Sequence, residues 1–263
     1  MKFEEIKEEK LSKDDVLWRF LSFHKLLFLL CEKKLFFPRL DLLPDPFEGV
    51  SMKLIQERRM ASISPERKNW HPDIPVEVHE EREKQNEATK KRYQEESKAQ
   101  RMSQYVNCWF NGNRESMAMW DIYSNRESVA VRISGRNFID YLERLIALEP
   151  YKNPKLKLIA GSVKYYELNP VNLTIKSVVR YIGLKKDVAF DFEKEYRLLI
   201  LTNNKDFLKN PPSITVDLTK DFLQMIEIVT HPQMDNWRFS NIQNLCNALG
   251  VNKIERSKIE FYK

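Results

Sequence analysis

The 263-residue sequence predicts an α+β domain, with mixed or antiparallel sheets, flanking helices and a charged helical insertion. Three observations lead there. Strand-like and helix-like segments follow one another in mixed order, without the regular alternation of a doubly wound sheet. Hydrophobic residues at 42% and charged residues at 31% suit a single folded domain spanning 1–263, whose core needs no disulfide or metal staple. Only six glycines occur, and neither G-x-G-x-x-G nor G-x-x-x-x-G-K-[ST] is present, so the backbone cradles of Rossmann and P-loop nucleotide sites are missing.

The elements follow in order. Residues 1–14 read as a frayed polar arm. VLWRFLSF (16–23) reads as a buried strand, HKLLFLLCEKK as a short helix, and LFFPRL as a second strand whose Pro38 marks an edge or an end of pairing. In DLLPDPFEG, Pro44 and Pro46 turn Leu43 and Asp45 away from helix, and Gly49 relaxes the backbone. From 64 to 103 the composition becomes highly charged. The i, i+4 pairs Glu80–Lys84 and Glu87–Lys91 predict a solvated helix there, without an apolar stripe broad enough for a core. YVNCWF (105–110) returns to strand, RESMAMWDIYS (114–124) to a short helix and SVAVRIS (128–134) to strand. Phe138, Ile139, Leu142, Leu145 and Ile146 then fall on one helical face. Further strands are expected at KLIAGSVKYYE, FEKEYRLLIL, SITVDL, IEIVTH and IERSKIEF. A last helix begins near Asp235 and stops before Gly250.

Several function classes are disfavoured. The N-terminus lacks the apolar core of a secretory leader, and LLFLLC at 26–31 is far too short to span a bilayer, which points to a cytoplasmic protein away from membranes. Cys31, Cys108 and Cys246 are odd in number and sit in apolar stretches, as reduced core thiols do. The four histidines, His71 and His79 among them, lack metal-ligand spacing, so no metal site is expected. Net charge is 44 − 38 = +6, and it is uneven. Lys152, Lys155, Lys157, Lys164, Lys176, Arg180, Lys185 and Lys186 face only Glu167 within 152–186. With tyrosines interleaved, that stretch is either a solvated lysine-rich face or an anion-binding surface for nucleic acid or a phosphorylated ligand.

FDFEKEYRLLIL (190–201) carries the sharpest chemical signal. In an extended chain Glu193, Glu195 and Arg197 share a face with Leu199 and Leu201, while Tyr196, Leu198 and Ile200 share the other. The pattern fits either a strand end that emerges into solvent with Arg197 bridging a neighbouring glutamate, or a paired-carboxylate site at the mouth of a cleft.

LWRFLSFHKLL, LFFPRLDLLPDPFEG, CWF, ESMAMWDIYS and FEKEYRLLI, in this order, resemble the uncharacterised bacterial family called domain of unknown function 2971 over roughly residues 16–200. That family name carries no activity. A more distant likeness is to ADP-ribosyltransferases, which place an arginine or histidine on an early strand, a tyrosine or serine motif in the middle and Glu-x-Glu on a late strand. Here Arg19 or His24, then Tyr123 with Ser124, then Glu193 and Glu195 occur in that order. The likeness implies NAD as the ligand and a macromolecular acceptor. Arg19 would hold phosphate or ribose, and Tyr123 the nicotinamide end. Glu195 would bond the nicotinamide ribose and steady an oxocarbenium-like charge, Glu193 would orient or deprotonate the acceptor, and Trp120 would stack on the ligand. The strand VAVRIS lacks the Ser-x-Thr/Ser motif of those enzymes. The plain alternatives are an Arg19 salt bridge to the 41–48 turn and core aromatics at Trp109, Trp120 and Tyr123. The competing function is a non-enzymatic binding module in which 152–186 recruits nucleic acid.

Overall fold

The structure, a computed structural model, describes residues 1–7, 10–45, 48–49, 75–148, 151, 153–166, 181–203 and 206–260. In chain order the strands and helices are β1 (Lys2–Glu5), β2 (Val16–Leu21), α1 (Phe23–Glu32), β3 (Lys34–Pro38), α2 (Val76–Met102) and β4 (Gln104–Asn111). Next come α3 (Met117–Tyr123), β5 (Val129–Ser134), α4 (Gly135–Ala147), β6 (Leu156–Ser162), β7 (Lys164–Tyr166) and β8 (Lys185–Asp187). The chain continues through β9 (Glu195–Thr202), β10 (Ser213–Asp217), α5 (Lys220–Met225), β11 (Glu227–Thr230), α6 (Asn236–Ala248) and β12 (Ile254–Arg256).

Eight strands form one mixed sheet in the order β1-β6-β9-β4-β2-β5-β11-β12. Its six inner strands are antiparallel, and β1 and β12 add parallel edges. β3 with β10 and β7 with β8 make two separate ribbons. The fold is therefore α+β with a mixed sheet and flanking helices.

Alternation assigns the faces. Leu17, Leu21, Tyr105, Trp109, Val131, Tyr196, Leu198 and Ile200 point to the large core, which is closed by Leu26 and Leu30 of α1, Phe138, Ile139 and Leu142 of α4, Phe222 of α5 and Ile242 of α6. The opposite face carries two smaller apolar clusters. Trp18, Phe110, Ala130 and Val229 lie under Met119 and Trp120 of α3, and Leu40, Val106, Ile159, Leu184 and Leu199 form the second. Between these two clusters, on β4 and β9, sit Cys108, Glu195 and Arg197.

The structure departs from the expected elements in several places. The polar arm is the edge strand β1, held because Lys157 binds Glu4 and Arg136 binds Glu5 at 2.9 Å, which removes the cost of packing two glutamates there. KLIAGSVKYYE divides into β6 and β7, and the C-terminal strand stops at Arg256. FEKEYRLLIL is not one strand. Val188–Glu193 forms a 3₁₀ turn, Lys194 adopts φ 40°, and pairing begins at Glu195. Cys31 is exposed rather than buried. Of the 64–103 insertion, residues 75–103 are described and are helical from Val76 to Met102; Pro46, Phe47 and His71 lie outside the described residues. No helix among the described residues is long and apolar enough to cross a membrane.

Candidate active site

The site is assembled where β9 begins. Asp187 caps the 188–193 turn by accepting from the Ala189 amide at 2.8 Å, and left-handed Lys194 then reverses the chain. This reversal sets the Glu193 carboxylate beside Glu195 instead of one pleat further along the same face. The short β7–β8 ribbon pairs Tyr165 with Lys186 and brings both to the same place.

Lys186 donates to Glu193 and, at 2.9 Å, to Glu195 Oε1. Arg197 donates through Nε to Glu195 Oε2, pairs with Glu48 through Nη2, and donates through Nη1 to the Gly183 carbonyl at 2.8 Å. Tyr123, at the end of α3, donates to Glu193 Oε1 at 2.5 Å, and the Glu195 amide donates to the Tyr165 hydroxyl at 2.8 Å. The charges are not a solvated strand end: Glu193 and Arg197 are each 1% exposed and Glu195 7%. Tyr123, which donates to Glu193, is itself 45% exposed.

Among the described residues, three carboxylates meet two cations in this network. Glu48 and Glu195 are matched by Arg197 and Lys186, so Glu193 is the odd charge. Burial, reinforced by the hydrogen bond and negative charge of Glu195, pushes the Glu193 carboxyl up to about 7. Burial works the same way on Glu195, but the Arg197 guanidinium and its hydrogen bond, with Lys186, outweigh it and hold that carboxyl well below its ordinary range. Burial would lower the Lys186 ammonium, yet Glu195 and Glu48 raise it instead. Burial and the bond to Glu193 raise the Tyr123 phenol. Burial, with Glu195 next, also raises the Cys108 thiol, so Cys108 is no nucleophile. The result is a pair of touching carboxylates with opposite proton affinities, which is how acid–base centres divide their roles.

The other residues implied by the ADP-ribosyltransferase likeness lie elsewhere. Cross-strand pairs share a face, and Glu195 pairs with Phe110, which pairs with Trp18. Arg19, the next residue after Trp18, therefore points to the opposite face, toward Trp109, with its guanidinium 5.8 Å from that ring. The sheet separates Arg19 from Glu195, so these two residues cannot hold one NAD between them. Arg19 has no hydrogen bond or ion pair among the described residues, and burial lowers its pKa to about 10. It does not bridge the 41–48 turn either, since Glu48 binds Arg197 and Asp41 binds Arg39 at 2.6 Å. His24 is exposed on α1, against Phe23.

Trp120 is fully buried between Phe20 and His231, at 4.8 and 5.2 Å, and donates to Glu115 at 3.0 Å, so it supports α3 rather than stacking on a ligand. Ser124 donates to the Trp120 carbonyl at 2.6 Å and closes that helix. Tyr123 alone of the middle group reaches the carboxylates. Lys186 and Glu48 were not singled out from the sequence: Lys186 reads as one of a run of surface lysines and Glu48 as part of a turn. Their signal is weak, a charge next to apolar neighbours in GLKKDVAF and DPFEG. Within the basic 152–186 stretch, Lys157 and Lys186 are bound to carboxylates, while Lys152, Lys176 and Arg180 lie outside the described residues. No family model, curated protein or solved structure matches the chain.

Proposed function

We propose that the chain is an enzyme that cleaves a glycosidic bond by proton transfer at Glu193, with ADP-ribosyl transfer from NAD to a macromolecular acceptor as the reaction to test first. The observation that supports this reading is the split in proton affinity between two adjoining carboxylates. A carboxyl with pKa about 7 is half ionised at neutral pH, so it can take a proton in one step and return it in the next. In such a reaction the attacking hydroxyl gives its proton to Glu193 as its oxygen bonds to the anomeric carbon. The leaving group departs with the electron pair of the broken bond. Glu195 stays ionised throughout, fixed by Arg197 and Lys186. Tyr123, exposed and bonded to Glu193, steers that hydroxyl. Because Arg19 is across the sheet, the reading rests on the carboxylates and Tyr123; it keeps Glu193 as the group that takes the acceptor proton and departs from the ADP-ribosyltransferase likeness by making no use of Arg19.

Release of nicotinamide from NAD, followed by chromatography with and without a protein extract as acceptor source, tests it. Glu193→Gln, which mimics the protonated acid, should lower the rate by at least about 100-fold while the protein stays folded. A native chain that releases no nicotinamide, or a Glu193→Gln variant that matches it, would rule the proposal out.

A further inference from the structure

On the carboxylate-bearing face of the sheet, beginning two strands from Glu195 and running across β2, β5, β11 and β12, a cleft of about 490 Å³ opens between the 113–115 loop and the segment 255–259. Its floor is the half-buried Ile259 and the Arg132 guanidinium, which lies 5.4 Å from the centroid of the buried Trp18 ring beside buried Val229, and its sides carry Arg114, Arg256 and Lys258 against Glu115 and Glu255. The acidic groups are already engaged. Glu115 accepts from Trp120 Nε1 at 3.0 Å, the Ser257 hydroxyl at 2.6 Å and the Lys258 amide at 2.6 Å, and so ties the two walls together. Arg132 is held by Glu227 and, at 3.4 Å, by Glu255.

Three cations remain. Arg256 donates to the neutral acceptors Asn236 Oδ1 at 2.7 Å and Met234 O at 3.2 Å, and lies over the Phe239 ring. Arg114 and the Lys258 ammonium have no carboxylate partner among the described residues. A concave site with an isoleucine and a guanidinium plane as its floor and a surplus of guanidinium and ammonium groups at its rim is complementary to an anion that also has a flat, weakly hydrated body.

We infer that this cleft binds a phosphorylated small molecule of the nucleoside diphosphate class, its phosphates against Arg114, Arg256 and Lys258 and its base against Ile259 and the plane of the Arg132 guanidinium. The inference stands on its own residues and does not depend on the chemistry assigned to Glu193. Calorimetric titration of the full chain with ADP, and separately with inorganic pyrophosphate, tests it. ADP should bind, pyrophosphate more weakly, and the double variant Arg114→Glu/Lys258→Glu should lose tenfold or more in ADP affinity with an unchanged melting temperature. The milder pair Arg114→Gln/Lys258→Gln should lose less than the charge reversal. Absence of ADP binding, or ADP affinity that survives the charge reversal, would overturn the site. Pyrophosphate binding as tightly as ADP would overturn the role of the floor.

Discussion

Glu193 is the residue on which stability and the proposed chemistry meet. Its carboxyl ionises near 4.5 in an unfolded chain and at about 7 in the fold. Below pH 4.5 it is protonated in both states and contributes nothing. Between 4.5 and 7 the unfolded chain ionises first, so stability falls as pH rises, and above 7 the loss is constant at about 3 kcal/mol. Glu195, held low, has the opposite sign: its contribution is present above 4.5 and is lost as pH falls. Denaturant titrations from pH 4 to 8 should therefore show Glu193→Gln gaining on the native chain through the window from 4.5 to 7 and levelling off beyond it. A pH-independent difference would show that Glu193 is not the titrating group. Arg197 bears more of the structure than a supporting contact would, because it pairs directly with both Glu48 and Glu195.

At the scale of elements, one backbone conformation makes the site. Lys194 is exposed and left-handed, so its side chain does little while its φ of 40° sets Glu193 against Lys186 and Tyr123. A β-branched residue is disfavoured in that region. Lys194→Val should lower stability by about 1–2 kcal/mol and reduce nicotinamide release at temperatures where the protein is still folded. Lys194→Gly, free to adopt the same φ, should keep both. Equal behaviour of the two variants in a melting curve and a rate assay would show that the turn does not set the carboxylate. The ribbon β7–β8 is the second device of this kind: three residues per strand suffice to bury a lysine, because its ammonium lands between two carboxylates.

For the whole molecule, the long helix α2 divides into an outer and an inner part. From Glu80 to Glu96 it is almost wholly exposed, whereas Ser97 and Met102 are buried and the Met102 carbonyl accepts from Asn210 at 2.9 Å. The composition predicts a solvated helix over the whole of 64–103, but the last turn belongs to the body. Replacing 80–95 with a flexible linker should cost only about 1 kcal/mol. Extending the replacement through Met102 should cost about 2–5 kcal/mol more, the usual loss for a buried methionine with its surroundings. Thermal unfolding of the two truncations checks this, and equal melting temperatures would count against an integral last turn.

Periodicity within a segment is local, and it sufficed for much of the architecture. The apolar face of α4, the inward side chains of β4 and β5, the glycine that ends α6 at φ 89° and the α+β class all follow from residue spacing. The alternating charges Glu193, Glu195 and Arg197 stand out for the same reason, whereas Tyr123 is named only through the ADP-ribosyltransferase likeness. Alternation, however, orders faces only along one strand. Whether Arg19 and Glu195 share a side depends on the register by which β2 meets β4 and β4 meets β9, and that register puts them on opposite sides. Likewise, nothing local distinguishes Lys186 from the lysines around it, or Glu48 from an ordinary turn residue. Only the tertiary structure buries these charges together, because a carboxylate or an ammonium can leave water when an oppositely charged partner, supplied by a distant part of the chain, replaces the solvation it gives up.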